Sequence, residues 1–291
     1  MESEEVAMSK GLWTMPKGEF EGSVAALEKE IVEQGGNPCD LFDLFRTDNM
    51  YTRRIAQAML RKGLVDSIES RLARAILGRN IFTDADWMSY YDARFTKKQQ
   101  REAGKFPWSE EVLNSPCPFN EGKLVKDTHF AFLGIAGING QPLTVAKWLE
   151  LHPATGQPKF YFNANPWHVG QPHTDVATME LRWYLLLKDI VPSSTGKTPE
   201  EQVAMLPPEY EVPTTITEVT KDILVFRKTD VRQNPLRWAA CTERTVATTK
   251  AFAGVVLCVG DFRGLGLSVS RWFGSRNDGI GVGASRKFGT L

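Results

Sequence analysis

Apolar positions recur at helical spacing through the first third of the chain and at strand spacing toward its C-terminal end. In EFEGSVAALEKEIVEQGG, Val24, Leu27 and Ile31 share a stripe, and Gly35-Gly36 supplies a stop. Ile55 and Met59, then Leu64, Ile68, Leu72 and Ile76, continue the pattern, with a break at Gly63 and a C-cap at Gly78. Thr83 or Asp84 caps a further short helix through Trp87 and Tyr91. Around KKQQREAGKFPWSEEVLNSPCPFNEGK the chain turns polar and gains Pro107, Pro116 and Pro118, which places a domain boundary near residue 104.

Beyond that boundary the pattern alternates between types. THFAFLGIAGING, PKFYFNAN and MELRWYLLLKDIVP read as strands, whereas LTVAKWLELHP is a helix capped by Thr144. In STGKTPEEQVAML, Gly196-Lys197-Thr198 resembles the tail of a phosphate-binding loop, but Val191 stands where the leading glycine is required. A helix start explains every residue there: Thr198 as cap, Pro199 at the first position, Glu201 closing a capping box. Ile216, Val219, Ile223 and Phe226 mark a helix over TITEVTKDILVFRK. AFAGVVLCVG is then a buried strand, followed by two alternating segments, Leu265/Leu267/Val269 and Ile280/Val282/Ala284. This order of strands and helices predicts an α+β fold, not a βαβ repeat.

Composition excludes more than it assigns. Lys plus Arg equal Asp plus Glu at 35 each, so charge gives no reason to expect nucleic acid as a partner. No apolar run has membrane-spanning length, and the acidic start MESEEVAMSK is not a secretion signal, which makes a cytoplasmic location the default expectation, with virion or surface display left open. Cys39, Cys117, Cys241 and Cys258 lack metal-ligand spacing. WHVGQPHTD holds His168, His173 and Asp175 near Glu180, the strongest enzyme-like constellation, but the two histidines are separated by Gly and Pro rather than placed on one helix face. No nucleophile elbow, dinucleotide fingerprint or complete phosphate loop is present. The expectation is a protein that is not an enzyme, without cofactor or metal.

Between Lys250 and Lys287 there is no Lys, Glu, Gln or Met, although Arg, Asp and Asn persist. Randomising both adenines of AAY asparagine codons yields Asp, Ser, Gly, Arg, Phe, Leu and Asn but none of those four residues, nor Trp. Asp261, Arg263, Gly264, Ser268, Ser270, Arg271, Phe273, Gly274, Ser275, Asn277 and Gly279 all lie in the accessible set; Trp272 does not. Leu265, Leu267, Val269, Trp272, Ile280 and Val282 would form the constant frame, with Arg271, Phe273, Ser275 and Asn277 in the turn after the strand.

With its aliphatic frame, Arg-Asn-Asp-Gly-Ile-Gly turn and closing SRKF, the segment CVGDFRGLGLSVSRWFGSRNDGIGVGASRKF resembles the variable region of proteins diversified by retroelements. The resemblance implies a C-type lectin-like fold over residues 105–291, with a variable region at about 255–288, behind a helical region at 1–104. It implies further that the eleven accessible positions form a binding surface for a protein or other macromolecule, rewritten by adenine-directed mutagenesis on a constant scaffold. Arg263, Arg271, Phe273 and Arg276 would then favour a partner with acidic and apolar surface, unless Arg276 belongs to the frame. Two alternatives stand beside this: an interaction module that never varies, and an oxidase like the formylglycine-generating enzymes, for which Cys241 and Cys258 are the local candidates.

Overall fold

The computed structural model describes residues 17–33, 37–40, 43, 68–161, 167–168, 170–246 and 253–287. The chain divides into two compact units, Met1–Gly63 and Leu64–Leu291. In the first, helix α1 (Lys17–Glu33) carries Val24, Leu27 and Ile31 as the periodicity predicts. The expected stop at Gly35-Gly36, the stripe positions Ile55, Met59 and Leu64 and the break at Gly63 lie outside the described residues.

The second unit mixes helices with several sheets. It begins with α2 (Ile68–Leu77), which buries Ala73 and Leu77 and leaves Leu72 exposed, so its core-facing stripe is rotated from the expected one. Gly78 caps it with a positive φ of 58°. Strand β1 (Ile81–Phe82) leads to α3 (Asp84–Tyr91), where the Thr83 backbone N–H donates to Asp86 at 2.9 Å in a capping box. Helices α4 (Lys97–Ala103), α5 (Glu110–Asn114) and α6 (Val125–Thr128) follow, then β2 (His129–Leu133) and the ribbon β3 (Gly137–Ile138) and β4 (Gln141–Pro142). Helices α7 (Val145–Leu151) and α8 (Pro172–Asp175) precede β5 (Trp183–Leu187), α9 (Pro199–Val203), β6 (Tyr210–Glu211) and α10 (Thr215–Thr229). The remaining strands are β7 (Trp238–Arg244), β8 (Val256–Arg263), β9 (Gly266–Trp272), β10 (Ile280–Val282) and β11 (Ser285–Arg286).

Five strands in the order β1-β2-β5-β11-β6 form one sheet, and β10-β7-β8-β9 form another. Helix α10 touches both, meeting β7 and β8 of the second and β2 of the first. Ile216, Val219, Ile223 and Phe226 are buried as the stripe predicts, yet so is every other residue from Thr215 to Phe226. Among them are Glu218, Lys221 and Asp222. Lys221 pairs with both carboxylates and donates to the Lys188 carbonyl at 2.9 Å. Burial pushes both carboxyl pKa values up against the pull of Lys221; for Lys221 itself burial pulls down, and Asp222 and Glu218 together outweigh it.

The boundary expected near residue 104 does not coincide with the division of the compact units at Gly63. Residues 81–103 pack into the same core as the later strands. Phe82 pairs with Phe132 across the sheet, the Trp87 indole donates to the Leu133 carbonyl at 2.7 Å, and the Trp183 indole donates to the Ala103 carbonyl at 2.9 Å. Trp87 also lies 5.8 Å from Trp148. An aromatic cluster of this size removes water from both segments at once, and the proline-containing stretch between them contributes Phe106, Trp108 and Leu113 to the same core.

His129 opens β2 between Thr128 Oγ1 at 2.9 Å and the Tyr210 hydroxyl at 3.1 Å. Burial pulls its pKa from the ordinary 6.5 down to about 3. The folded value lies below the unfolded one, so in acid the unfolded chain takes the proton first. This contribution is complete above pH 6.5 and is lost as pH falls toward 3. We expect a loss of about 2 kcal/mol from this group between pH 6.5 and pH 5, by that linkage alone. Chemical denaturation of the wild type and His129→Gln across this range checks it: the variant should have a slope shallower by one proton, and an unchanged slope would place the proton uptake elsewhere.

Candidate functional site

The segment expected to vary is a hairpin, β8–β9, and the loop that follows it. Gly260 has φ 154°, and a Cβ there would sit 2.9 Å from Trp238 Cα, closer than side chains tolerate. The close approach starts a bulge between Gly260 and Arg263 in which Asp261 adopts φ 48°. Asp261 faces Arg263 in a two-pronged pair, Oδ1 to Nε at 2.7 Å and Oδ2 to Nη2 at 2.8 Å. Gly264 and Leu265 make the turn. Leu265, expected in the frame by alternation, is instead 64% exposed at the hairpin tip, because the bulge ends the regular alternation before that residue.

Gly266 lets β9 pass against Phe160, whose carbonyl oxygen would lie 2.6 Å from an added Cβ. Leu267 donates to the Lys159 carbonyl and accepts from the Tyr161 N–H, both at 2.8 Å. This bridge is all that forms at residues 159–161 of the expected strand PKFYFNAN; Phe162 to Asn165 lie outside the described residues.

Alternation along β9 then separates two faces. Leu267 and Val269 join Leu257, Val259 and Phe262 in the main core. Trp272 is also buried, but on the opposite face, with Ala240, Val256, Cys258 and Ile280. Ser268 and Ser270 share that outer face, half-buried, across from Gly260 and Cys258. Arg271 was expected in a turn; it lies in β9 on the Leu267 side, and its guanidinium stacks 5.2 Å from the Trp167 ring centre. The expected single surface is therefore divided between two faces of the strand. Ile280 and Val282 are buried, as expected of the frame.

The loop 273–279 is held from below by the segment 194–202. Trp272 Nε1 donates to the Ser275 carbonyl at 2.7 Å. Asn277 Oδ1 accepts from the Gly279 N–H at 2.8 Å, and its carbonyl accepts from the Gly196 N–H at 2.9 Å. Arg276 donates to the Gly196 carbonyl at 3.0 Å and to Glu201 at 2.6 Å. The Glu201 carboxyl also accepts from the Thr198 N–H in the predicted capping box, and this bond, then Arg276, holds its pKa below the usual carboxylate range. Gln202, buried, donates to the Ser194 and Ile280 carbonyls, each at 3.0 Å. Gly274 has φ 82° and Gly281 abuts Ser194 and Ile190, so neither backbone site suits a side chain. By geometry Gly274, Arg276 and Asn277 belong with the frame. Phe273 is 65% exposed, and Ser275 is exposed.

The enzyme-like candidates are poorly disposed for chemistry. Cys241 and Cys258 are buried free thiols, both pushed up by burial, Cys258 to about 12, which keeps them protonated. His168 and His173 are buried against Trp167, with ring centres 5.7 and 6.0 Å away. Burial pulls both pKa values down, that of His173 to about 4, and His168 Nδ1 and His173 Nε2 have no hydrogen-bond partner among the described residues. Asp175 accepts from the Gly170 N–H at 2.7 Å, and Glu180 faces Arg182 at 3.4 Å. Among the described residues, no group of three His, Cys, Asp or Glu side chains is arranged to hold a metal ion. No helix among them is long and apolar enough to cross a membrane.

The sequence reading missed Leu265 as a surface residue, Trp167 as the platform for Arg271, and Gln202 with Ser194 as the base of the loop. Glu201 was legible as a cap, but its second partner stands 75 positions away. Comparison with known proteins returned no match among family models, curated proteins or solved structures.

Two neighbouring glycines test this geometry. Gly264 has open space around an added Cβ and no positive φ, whereas Gly266 has φ 118° and a backbone wall. Gly264→Ala should change stability by less than about 0.5 kcal/mol, and Gly266→Ala should cost about 2 kcal/mol or more. Urea denaturation of both variants distinguishes them; equal effects would contradict the packing of β9 on Phe160.

Proposed function

We propose that the protein binds a macromolecular ligand through the surface of β8, β9 and the loop 273–279, and that a retroelement diversifies this surface on a constant scaffold of C-type lectin-like fold. The observation that carries the reading is a coincidence of composition and placement. In the stretch without Lys, Glu, Gln or Met, the aliphatic positions Leu267, Val269, Ile280 and Val282 are buried while Arg263, Gly264, Phe273 and Ser275 are at the surface. Residues of the first kind supply core free energy, and changes of the second kind are nearly neutral to folding. Such a partition is what adenine-directed mutagenesis requires of its target: many outcomes at the surface, few consequences inside.

The eleven codon-accessible positions fall into two groups under this reading. Arg263, Gly264, Ser268, Ser270, Arg271, Phe273, Ser275 and Gly279 carry no positive φ, and diversity is concentrated there. Asp261, Gly274 and Asn277 are constrained, the first two by positive φ and the third by its turn-closing bonds. The buried thiols weigh against the oxidase alternative.

Deep sequencing of the locus in a population of the source organism tests the proposal. We expect substitutions concentrated within codons 260–280, confined to sites where a template copy carries adenine, with Asp261, Gly274 and Asn277 varying least among surviving sequences. An invariant stretch with no template copy would overturn diversification and leave a fixed interaction module.

A further inference from the structure

We infer that this surface recognises an uncharged, apolar patch on a partner protein, anchored by Leu265 and Phe273 at the two ends of β9. The inference rests on the binding-surface reading above and gives the partner its chemistry. It departs from the expectation of an acidic partner because the structure engages the arginines on which that expectation stood. Arg263 faces Asp261 through two oxygens, Arg276 is held by Glu201 and the Gly196 carbonyl, and Arg271 stacks on Trp167. An arginine already bonded in two directions gains little from a second carboxylate, and covering the existing pair removes it from water.

What projects beyond these pairs is apolar. Leu265 is 64% and Phe273 65% exposed. Leu236, 71% exposed, precedes Arg237, whose carbonyl accepts from the Asp261 N–H at 2.8 Å where the bulge begins. Between the anchors, the outer face of β9 offers only the short side chains of Ser268 and Ser270. Seven strand residues, eight steps of the chain, separate the anchors by about 26 Å, a span that fits within one interface of standard size. Beyond the paired Arg263 and Arg276, the exposed charges Arg237 and Asp278 have opposite sign. Exposed large apolar residues at both ends of a strand whose arginines are already engaged favour contact with protein over recognition of an ionic ligand. Leucine is also among the products of adenine randomisation, so Leu265 joins the positions that vary and leaves the frame.

Panning a displayed random-peptide library on the immobilised full chain, at low and at high salt, provides the probe. We expect aromatic and aliphatic peptides without enrichment of Asp or Glu. Their affinity should change by less than about threefold with salt, should fall about tenfold or more in the double variant Leu265→Ser/Phe273→Ser, and should survive Asp261→Ser/Arg263→Ser. Thermal melting of both double variants checks that the fold is retained. Acidic peptides whose binding weakens with salt and depends on Arg263 would overturn the inference while keeping the surface. Peptides indifferent to both double variants and to Ser268→Tyr/Ser270→Tyr would overturn the surface itself, and an empty selection counts against the anchors. Sedimentation covers the remaining occupant: a dimer abolished by Leu265→Ser/Phe273→Ser would assign the surface to a second copy of this chain and overturn the inference.

Discussion

A helix that buries all of its sides is the constraint on which the second unit depends. Helix α10 lies against β7 and β8 and also against β2, so its position fixes both sheets. Its polar residues make that position specific. Lys221 reaches the Lys188 carbonyl just beyond β5 while holding Glu218 and Asp222, and Trp148 donates its indole N–H to Thr220 at 2.8 Å. Apolar contact alone would let such a helix slide or rotate with little penalty. A turned α10 would strand a buried ammonium and two carboxyls without partners, which costs several kcal/mol.

That constraint is carried outward to the hairpin. Phe226 of α10 meets Phe262 of β8 at 5.6 Å, and the inner residues of β9 complete the same core. The far side of the sheet has its own small core around Trp272, closed by a loop whose bonds go mostly to the segment 194–202. The hairpin is thus held from two sides, by packing beneath and by backbone hydrogen bonds at its end. Gly264, Leu265 and Ser268 lie outside both cores, which is why surface identity and fold identity are separable there.

Much of this was legible wherever the cause is local. The Thr198 capping box, the Thr144 cap, the glycine after α2 and the apolar stripe of α10 all depend on residues a few positions apart, and each is in place. The misreadings have long-range causes. The stripe of α10 did not show that Glu218, Lys221 and Asp222 are buried too, because the Lys188 carbonyl that receives Lys221 lies 33 residues away. Leu265 continues a period-two pattern, but the bulge that ends that pattern is forced by Arg237 and Trp238 pressing on Gly260. Trp272 is buried, although the face it occupies was not evident, because both faces of this sheet are covered where it sits. The division near residue 104 was read from composition, and composition does not register that Trp87 and Trp148 touch.

The position of β11 has a consequence for how errors in the surface are handled. Only Gly283 and Ala284 separate it from β10, yet it belongs to the other sheet, inserted between β5 and β6. A hairpin that fails to seat withdraws β10 and pulls β11 with it. The five-stranded sheet is then left with a gap in its middle, and β5 and β6 acquire open edges prone to aggregation and cleavage. Defects at the rim are thereby converted into failure of the whole unit rather than into a population of half-working molecules. A substitution in the hairpin is thereby screened at folding: the chains that persist are those whose hairpin still lets both sheets close.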